Sequence, residues 1–428
     1  MIMGPRTFAP ILAAMLVLWP IIAYMGAQGY SGAVAIAALL GIFYVRRPEI
    51  DRLFCAGIAF VTWIVLAGFW GPAADGLFVG SLGSGSFSLD MPGIRFALTA
   101  LAGLSILIAV YSVEPKSSPR SLTVIAGAGF VQFGGMLITA LFMGQILALL
   151  APISDPVSEM PQNLMRNANA YLMLLPFLLA WLWARGEDPK WTYGTIALGA
   201  VSFLAFVLTG TQTALIGVFL MLAAMAIVKR YPERGFKILF GGLAAYVLAA
   251  PILFSWVITG LRDMGIPLPK SFFSRTYSWE LVGNKITESP IIGHGLEASQ
   301  NWRDTYGDHP EWLADASARY GAEYAWEVYR VIPSHPHSMA LQIWAEAGFI
   351  GAALAATFLV FLGWRLKPPS AWPSISRYAA AGLIGVCAAI CSFAYSMWNE
   401  AFWGSVLLAA AVIFLQARHD GDAGLRET

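Results

Sequence analysis

The chain has 428 residues, of which 58% are hydrophobic and only 12% charged, with 26 Lys and Arg against 25 Asp and Glu. Soluble globular domains carry about 25% charged residues, so a mean hydropathy of +0.66 excludes an ordinary soluble protein, and the balanced charge offers no basic field for nucleic acid. All three cysteines, Cys55, Cys387 and Cys391, fall inside apolar runs, which excludes an external disulfide framework; Cys387 and Cys391, one helical turn apart, read as small buried residues.

In chain order the apolar runs lie at about 8–26, 31–45, 53–70, 92–112, 121–151, 167–184, 191–208, 212–228, 236–257, 340–364, 378–397 and 401–417. A bilayer is crossed by about 20 apolar residues, so about twelve transmembrane helices are expected. Lipid admits only helices or closed barrels, and these continuous runs lack a barrel's alternation. The predicted fold is therefore all-α, a polytopic membrane helix bundle with one large helical loop. The glycine-rich fifth run (Gly127, Gly129, Gly134, Gly135, Gly144) reads as close helix packing.

The distribution of Lys and Arg sets an orientation, because cytosolic connections carry the excess. Fourteen fall in alternate short connections, and Arg6, Arg418 and Arg426 at the termini bring that side to seventeen. Seven of the remaining nine sit in one long connection, which the rule exempts, leaving Arg95 and Arg166 near short outside turns. Both termini are expected in the cytosol. The first run, preceded by Arg6, has no convincing cleavage site and reads as an uncleaved anchor. The predicted organisation is 1–257 for helices one to nine, 258–338 for the outside loop, 339–417 for helices ten to twelve, and 418–428 for a polar cytosolic tail, which holds Asp420-Gly421-Asp422.

The outside loop is no linker. It carries Trp279, Trp302, Trp312 and Trp326, five tyrosines, and four of the chain's five histidines, His294, His309, His335 and His337; such a composition folds against something. A helical lid is expected, packed on the outside turns near 71–91, 152–166, 209–211 and 398–400. His335-x-His337 without a further close-spaced ligand argues against a metal site, and no cofactor is indicated.

Three ordered motifs frame this loop: Arg275-Thr276-Tyr277-Ser278-Trp279; Pro290-Ile291-Ile292-Gly293-His294-Gly295; and His337-Ser338 followed by Leu341-Gln342 and Glu346-Ala347-Gly348. Together they resemble the O-antigen ligase and O-antigen polymerase superfamily of bacterial envelope enzymes, which shows Arg-x-x-x-Trp, Pro-x-x-Gly-x-Gly, His-Asn, Leu-Gln and Glu-x-Gly around a large periplasmic loop. The match covers about 80 residues and departs in two places. Ser338 stands where the family commonly has Asn, and Gln212, in Leu208-Thr209-Gly210-Thr211-Gln212-Thr213, stands where a Thr-x-Ser-Arg segment has Arg.

The resemblance implies a multi-pass inner-membrane glycosyltransferase. It would move a glycan from undecaprenyl diphosphate to lipid A core (a ligase) or to a growing glycan (a polymerase) on the periplasmic face, without metal or ATP. The residue types suit that chemistry. Arginine pairs bidentately with phosphate and stays charged, which makes Arg275 and Arg166 the candidate diphosphate ligands; Asn167, Gln212, Trp279 and His335 are further candidate substrate contacts. Histidine can accept a hydroxyl proton at neutral pH, which makes His337 the candidate general base, with Glu400 in reserve. Tyr277 and Trp279 suit either sugar stacking or interfacial anchoring, and His294 and His309 read as structural. The rival class is a secondary transporter, which places ionisable groups near the bilayer midplane; here the polar groups gather at the outer face.

Overall fold

The computed structural model describes residues 8–24, 29–44, 50–72, 91–112, 119–150, 160–186, 188–265, 268–321, 325–366 and 374–424. Among these the protein is all-helical. We label the helices α1 (Phe8–Val17), α2 (Trp19–Tyr24), α3 (Gly29–Gly41), α4 (Arg52–Ala67), α5 (Pro92–Tyr111), α6 (Pro119–Leu150), α7 (Met160–Trp183), α8 (Pro189–Leu208), α9 (Gln212–Arg230), α10 (Gly235–Asp263), α11 (Lys270–Glu288), α12 (Pro310–Tyr320), α13 (Met339–Arg365), α14 (Ser374–Phe393) and α15 (Glu400–Gly424).

Among the described residues each apolar run lies mainly on helix, but the runs are not equal. Eight of the described helices, α5, α6, α8, α9, α10, α13, α14 and α15, are long and apolar enough to cross a membrane, while α1, α3 and α4 are shorter apolar helices. The first run is broken at Leu18: Pro20, in the first turn of α2, has no N–H to give a preceding carbonyl, and the chain restarts as a second helix. The expected polar tail begins inside α15, which continues to Gly424. The expected lid neighbours at 73–90 and 152–159 lie outside the described residues. The bundle is organised around α9 against α14 and α10 against α13, with α4 also packed on α13.

Residues between α10 and α13 form a cap. Its centre is aromatic: Tyr306 and Trp326 are 0% and 2% exposed, with Tyr277 on Trp312 (ring centroids 5.0 Å apart) and Tyr306 on Trp326 (5.0 Å). Such pairs add about 0.5–1.5 kcal/mol each beyond area burial. The Tyr277 hydroxyl donates to Asp315 Oδ2 at 2.6 Å, tying α11 to α12. The loop therefore folds as its composition predicts, and Tyr277 belongs to the cap core.

The cap is joined to the bundle at a break in α13. Gly348 has φ 68° and ψ −170°, a conformation that only glycine adopts readily, and the interruption frees backbone groups on both sides of it. The Pro-x-x-Gly-x-Gly segment takes them up. His294 N–H donates to the Ala345 carbonyl (2.9 Å) and Gly295 N–H to the Glu346 carbonyl (2.9 Å), while Phe349 and Ile350 N–H donate to Pro290 and Ile291 carbonyls (2.8 and 3.2 Å). A Cβ on Gly348 would lie 2.2 Å from the Ile291 carbonyl oxygen, and one on Gly293 2.5 Å from the Glu346 carbonyl carbon. We expect Gly348→Ala to lose about 3 kcal/mol or more from strain and clash, read as a lowered melting temperature in detergent. Gly127→Ala on α6, where nothing lies within 4 Å, is the control and should melt at or above wild type.

Candidate active site

The His335–His337 segment sits under the cap, immediately before α13. Ser338 caps that helix, its hydroxyl accepting from Leu341 N–H at 3.5 Å. Asn is an equally good N-cap, so Ser338 can serve the structural part of the family's Asn. His337 adopts φ 53°, unusual for a residue with a Cβ, and three hydrogen bonds hold the turn. Trp279 Nε1 donates to the Pro336 carbonyl (3.0 Å), His337 N–H to His335 Nδ1 (3.1 Å), and His337 Nδ1 lies 3.0 Å from the Ala394 carbonyl.

These contacts assign the protons. A carbonyl only accepts, so His337 Nδ1 carries the hydrogen and its Nε2 presents a bare lone pair; His335 Nδ1 accepts, so its hydrogen is on Nε2. The two rings, 4.3 Å apart, thus offer one acceptor and one donor side by side. Burial, the nearby Arg275 charge and an opposing hydrogen bond to Ala394 together bring His337 down to about 4. Burial, then His337, Arg275 and Arg166, hold His335 well below the usual imidazole range. Both rings are neutral at neutral pH.

Arg275 is the cation facing both rings. Among the described residues no carboxylate pairs with it; its guanidinium lies 5.9 Å from the Phe272 ring centre, and burial pushes its proton affinity down while leaving it charged. One turn earlier on α11, the Ser271 hydroxyl donates to Gln212 Oε1 at 3.2 Å. Gln212 begins α9 beside the paired Thr209 and Thr211 hydroxyls, 3.0 Å apart, so this turn and the first part of α11 are neighbours.

Arg166 opens toward a cavity of about 140 Å³ between α7 and the α14–α15 turn, with Asn169, Tyr395 and Asn399 in its wall. Asn167 points elsewhere. It is 0% exposed and accepts from Gln132 inside the bundle, so on this helix Asn169, one turn from Arg166, is the asparagine that faces the cavity. Trp279, at 2% exposure, meets Phe254 and Phe272 in edge-to-face contacts (4.7 and 5.9 Å); buried in this way it has no open face for a sugar and instead braces Pro336. Glu400 is engaged by Arg95 at 2.8 Å, and Arg95 reaches Glu297 of the cap at 3.2 Å, so this trio ties the turn to the cap. His294 is held by the Lys285 carbonyl (2.8 Å) and His309 stacks on Trp312 (4.0 Å), both structural contacts.

Sequence reasoning passed over Glu346. This 0% exposed side chain accepts from Glu297 N–H (2.7 Å), the Ser299 hydroxyl (2.6 Å), Gln342 Nε2 (3.2 Å) and the Trp398 indole. Gln342 in turn accepts from Met397 N–H at 2.8 Å. The pair thus fixes the turn that supplies the Ala394 carbonyl to His337. The Leu-Gln and Glu-x-Gly spacing was the available signal, one helical turn apart on α13.

A general base with this environment has a defined pH response. His337 must be neutral to work, so kcat/KM should hold as pH falls below 6.5 and drop only through about 4. An anionic donor bound at Arg275 offsets that charge, so the acidic limb of kcat should lie above that of kcat/KM. Rate profiles against pH check both; a kcat/KM limb at the free-histidine value would contradict the site as described.

A membrane helix bundle whose cap holds an arginine, Arg275, beside a neutral histidine pair, with a second arginine, Arg166, on a bundle helix, is the class defined here. Residues 197–356 match the family described as O-antigen ligase, so this segment is similar to members of the O-antigen ligase superfamily. A Rickettsia bellii protein named "Putative polysaccharide ligase" is 31% identical over 119 residues, covering 28% of this chain and 26% of that protein. A similarly named Rickettsia conorii protein is 35% identical over 80 residues (19% and 16%), and one from Rickettsia typhi 28% over 120 (28% and 27%). The chain spans about a quarter or less of the length of these relatives. The family match contains Gln212, Arg275, Trp279, His335 and His337; Arg166, Asn167 and Glu400 lie outside it.

Proposed function

We propose that the protein is a polysaccharide ligase-type glycosyltransferase that moves a glycan from undecaprenyl diphosphate to an acceptor hydroxyl at the cap face, without a metal. The observation that carries this reading is Arg275, a half-buried guanidinium without a carboxylate partner among the described residues, beside the bare Nε2 of His337. Arg275 and Arg166 bind the diphosphate. His337 Nε2 takes the proton of the acceptor hydroxyl as its oxygen attacks the anomeric carbon, the carbon–oxygen bond to phosphate breaks, and the lipid diphosphate leaves with the electron pair. Direct attack inverts the anomeric configuration, and the broken phosphoester bond supplies the driving force in place of ATP. His335 Nε2–H is available to an oxygen of the leaving group.

The cap face is periplasmic and the termini cytosolic on the charge pattern. The envelope glycan of a deletion strain tests the activity. Bare lipid A core with long lipid-linked chains accumulating indicates a ligase, core capped with a single repeat indicates a polymerase, and an unchanged profile would sink the proposal. Alkaline phosphatase fused within 258–338 should be active, and fused near residue 420 inactive.

A further inference from the structure

A cleft on the side of the bundle away from the cap gathers cations that the proposed reaction does not use. α10 ends at the cap and α13 begins there, so the start of α10 and the end of α13 lie at the far side. The start of α4 joins them, because its other end meets the cap, where Leu296 N–H donates to the Ala67 carbonyl at 3.2 Å. These three ends enclose a cleft of about 540 Å³ that presents Arg52, Lys237 and Arg365 against, among the described residues, one carboxylate, Asp51.

That carboxylate is already used twice. Asp51 Oδ1 caps α4 by accepting Phe54 N–H at 2.8 Å, and Oδ2 pairs with Arg365 at 3.3 Å. Arg52 and Lys237 are exposed and have no carboxylate partner among the described residues. Both sit in the first turn of a helix, α4 and α10, where the backbone adds partial positive charge. The cleft thus has a net demand for an anion. Its remaining wall is apolar: Trp364 is 51% exposed and stands 5.8 Å from the Phe361 ring on the outside of the bundle. A soluble phosphate has no use for that wall. A lipid uses both halves, since its phosphate meets the cations at the interface while its chains lie along the aromatics.

We propose that this cleft binds the phosphate headgroup of an anionic membrane lipid, held by Arg52 and Lys237, with its acyl chains against Phe361 and Trp364. The assignment is independent of the reaction at the cap face. The test uses the full chain, purified in detergent, stripped of lipid and offered phosphatidylglycerol or phosphatidylcholine, with bound lipid counted by native mass spectrometry. Phosphatidylglycerol should be retained in preference, and the double variant Arg52→Gln, Lys237→Gln should bind it about 30-fold more weakly with an unchanged melting temperature, because both side chains are exposed. Equal retention of the two lipids, or undiminished phosphatidylglycerol binding by the double variant, overturns the proposal. Titration with inorganic phosphate separates the sources: binding as tight as that of the lipid would make this a soluble-anion site and reject the lipid, whereas weak binding together with lower lipid retention by Trp364→Ala supports it.

Discussion

Replacing His337 by alanine is expected to lower glycan transfer by about 100- to 10,000-fold, the usual loss when a general base is removed, in a protein that still inserts, folds and binds donor. The ring hangs from the Ala394 carbonyl by its Nδ1–H, so its removal leaves the turn backbone, the Trp279–Pro336 bond and the α13 cap in place. His309→Ala, which unstacks Trp312 and gives up a 3.6 Å contact with Asp304 within the cap, should transfer at close to the wild-type rate. Both are measured in detergent with lipid-linked donor and chelator present. Near-normal turnover by His337→Ala moves the base to Glu400, despite its pairing with Arg95; abolition of wild-type activity by the chelator revives a metal at His335 and His337.

The second large effect is expected at Arg275. Arg275→Lys keeps the charge and loses the planar fork that grips phosphate at two points, so donor binding should weaken by about 10- to 100-fold, the worth of a charge-assisted hydrogen bond. Arg275→Gln separates binding from electrostatics. It removes one of the causes that hold His337 near 4, so the acidic limb of kcat/KM should move upward in that variant. A Lys variant with wild-type donor affinity and rate, or a Gln variant whose limb does not move, would remove Arg275 from the site.

The helices were legible because lipid permits no other use of a twenty-residue apolar run. The breaks within them were not. Gly348 lies in an apolar stretch that reads as one span, and nothing local reveals that Pro290–Gly295 docks into it. His337 and Arg275 were legible through local motif and residue chemistry, and the structure brings them to one place. Glu400 shows the opposite case: its partner Arg95 is far away in sequence, so an apparently spare carboxylate proves to be engaged. For Trp279 and Asn167 the sequence does not tell the direction of the side chain, which depends on the neighbour that reaches it, Pro336 for one and Gln132 for the other. Glu346 was hidden by sitting within an apolar helix, where a lone carboxylate has meaning only once its donors from the cap and the far turn are known.

The docking of Pro290–Gly295 into the interrupted α13 divides the cap by what exchange it can tolerate. Everything that meets α13, from α11 through Ser299 and again from Pro336 onward, is bonded atom by atom to the bundle, so a transplanted version must bring its own matching helix. The excursion from Trp302 to Tyr329 meets the rest of the protein through side chains of α11, where Phe273 and Tyr277 pack on Tyr306, Trp312, Tyr320 and Trp326 and Tyr277 bonds to Asp315, and through backbone contacts of Asp304 and Thr305 with Val331 and Arg330. Chimeras that exchange only this excursion should therefore assemble when the incoming segment still fits the rings of Phe273 and Tyr277, which makes it the part of the molecule that can change without rebuilding the helices beneath it.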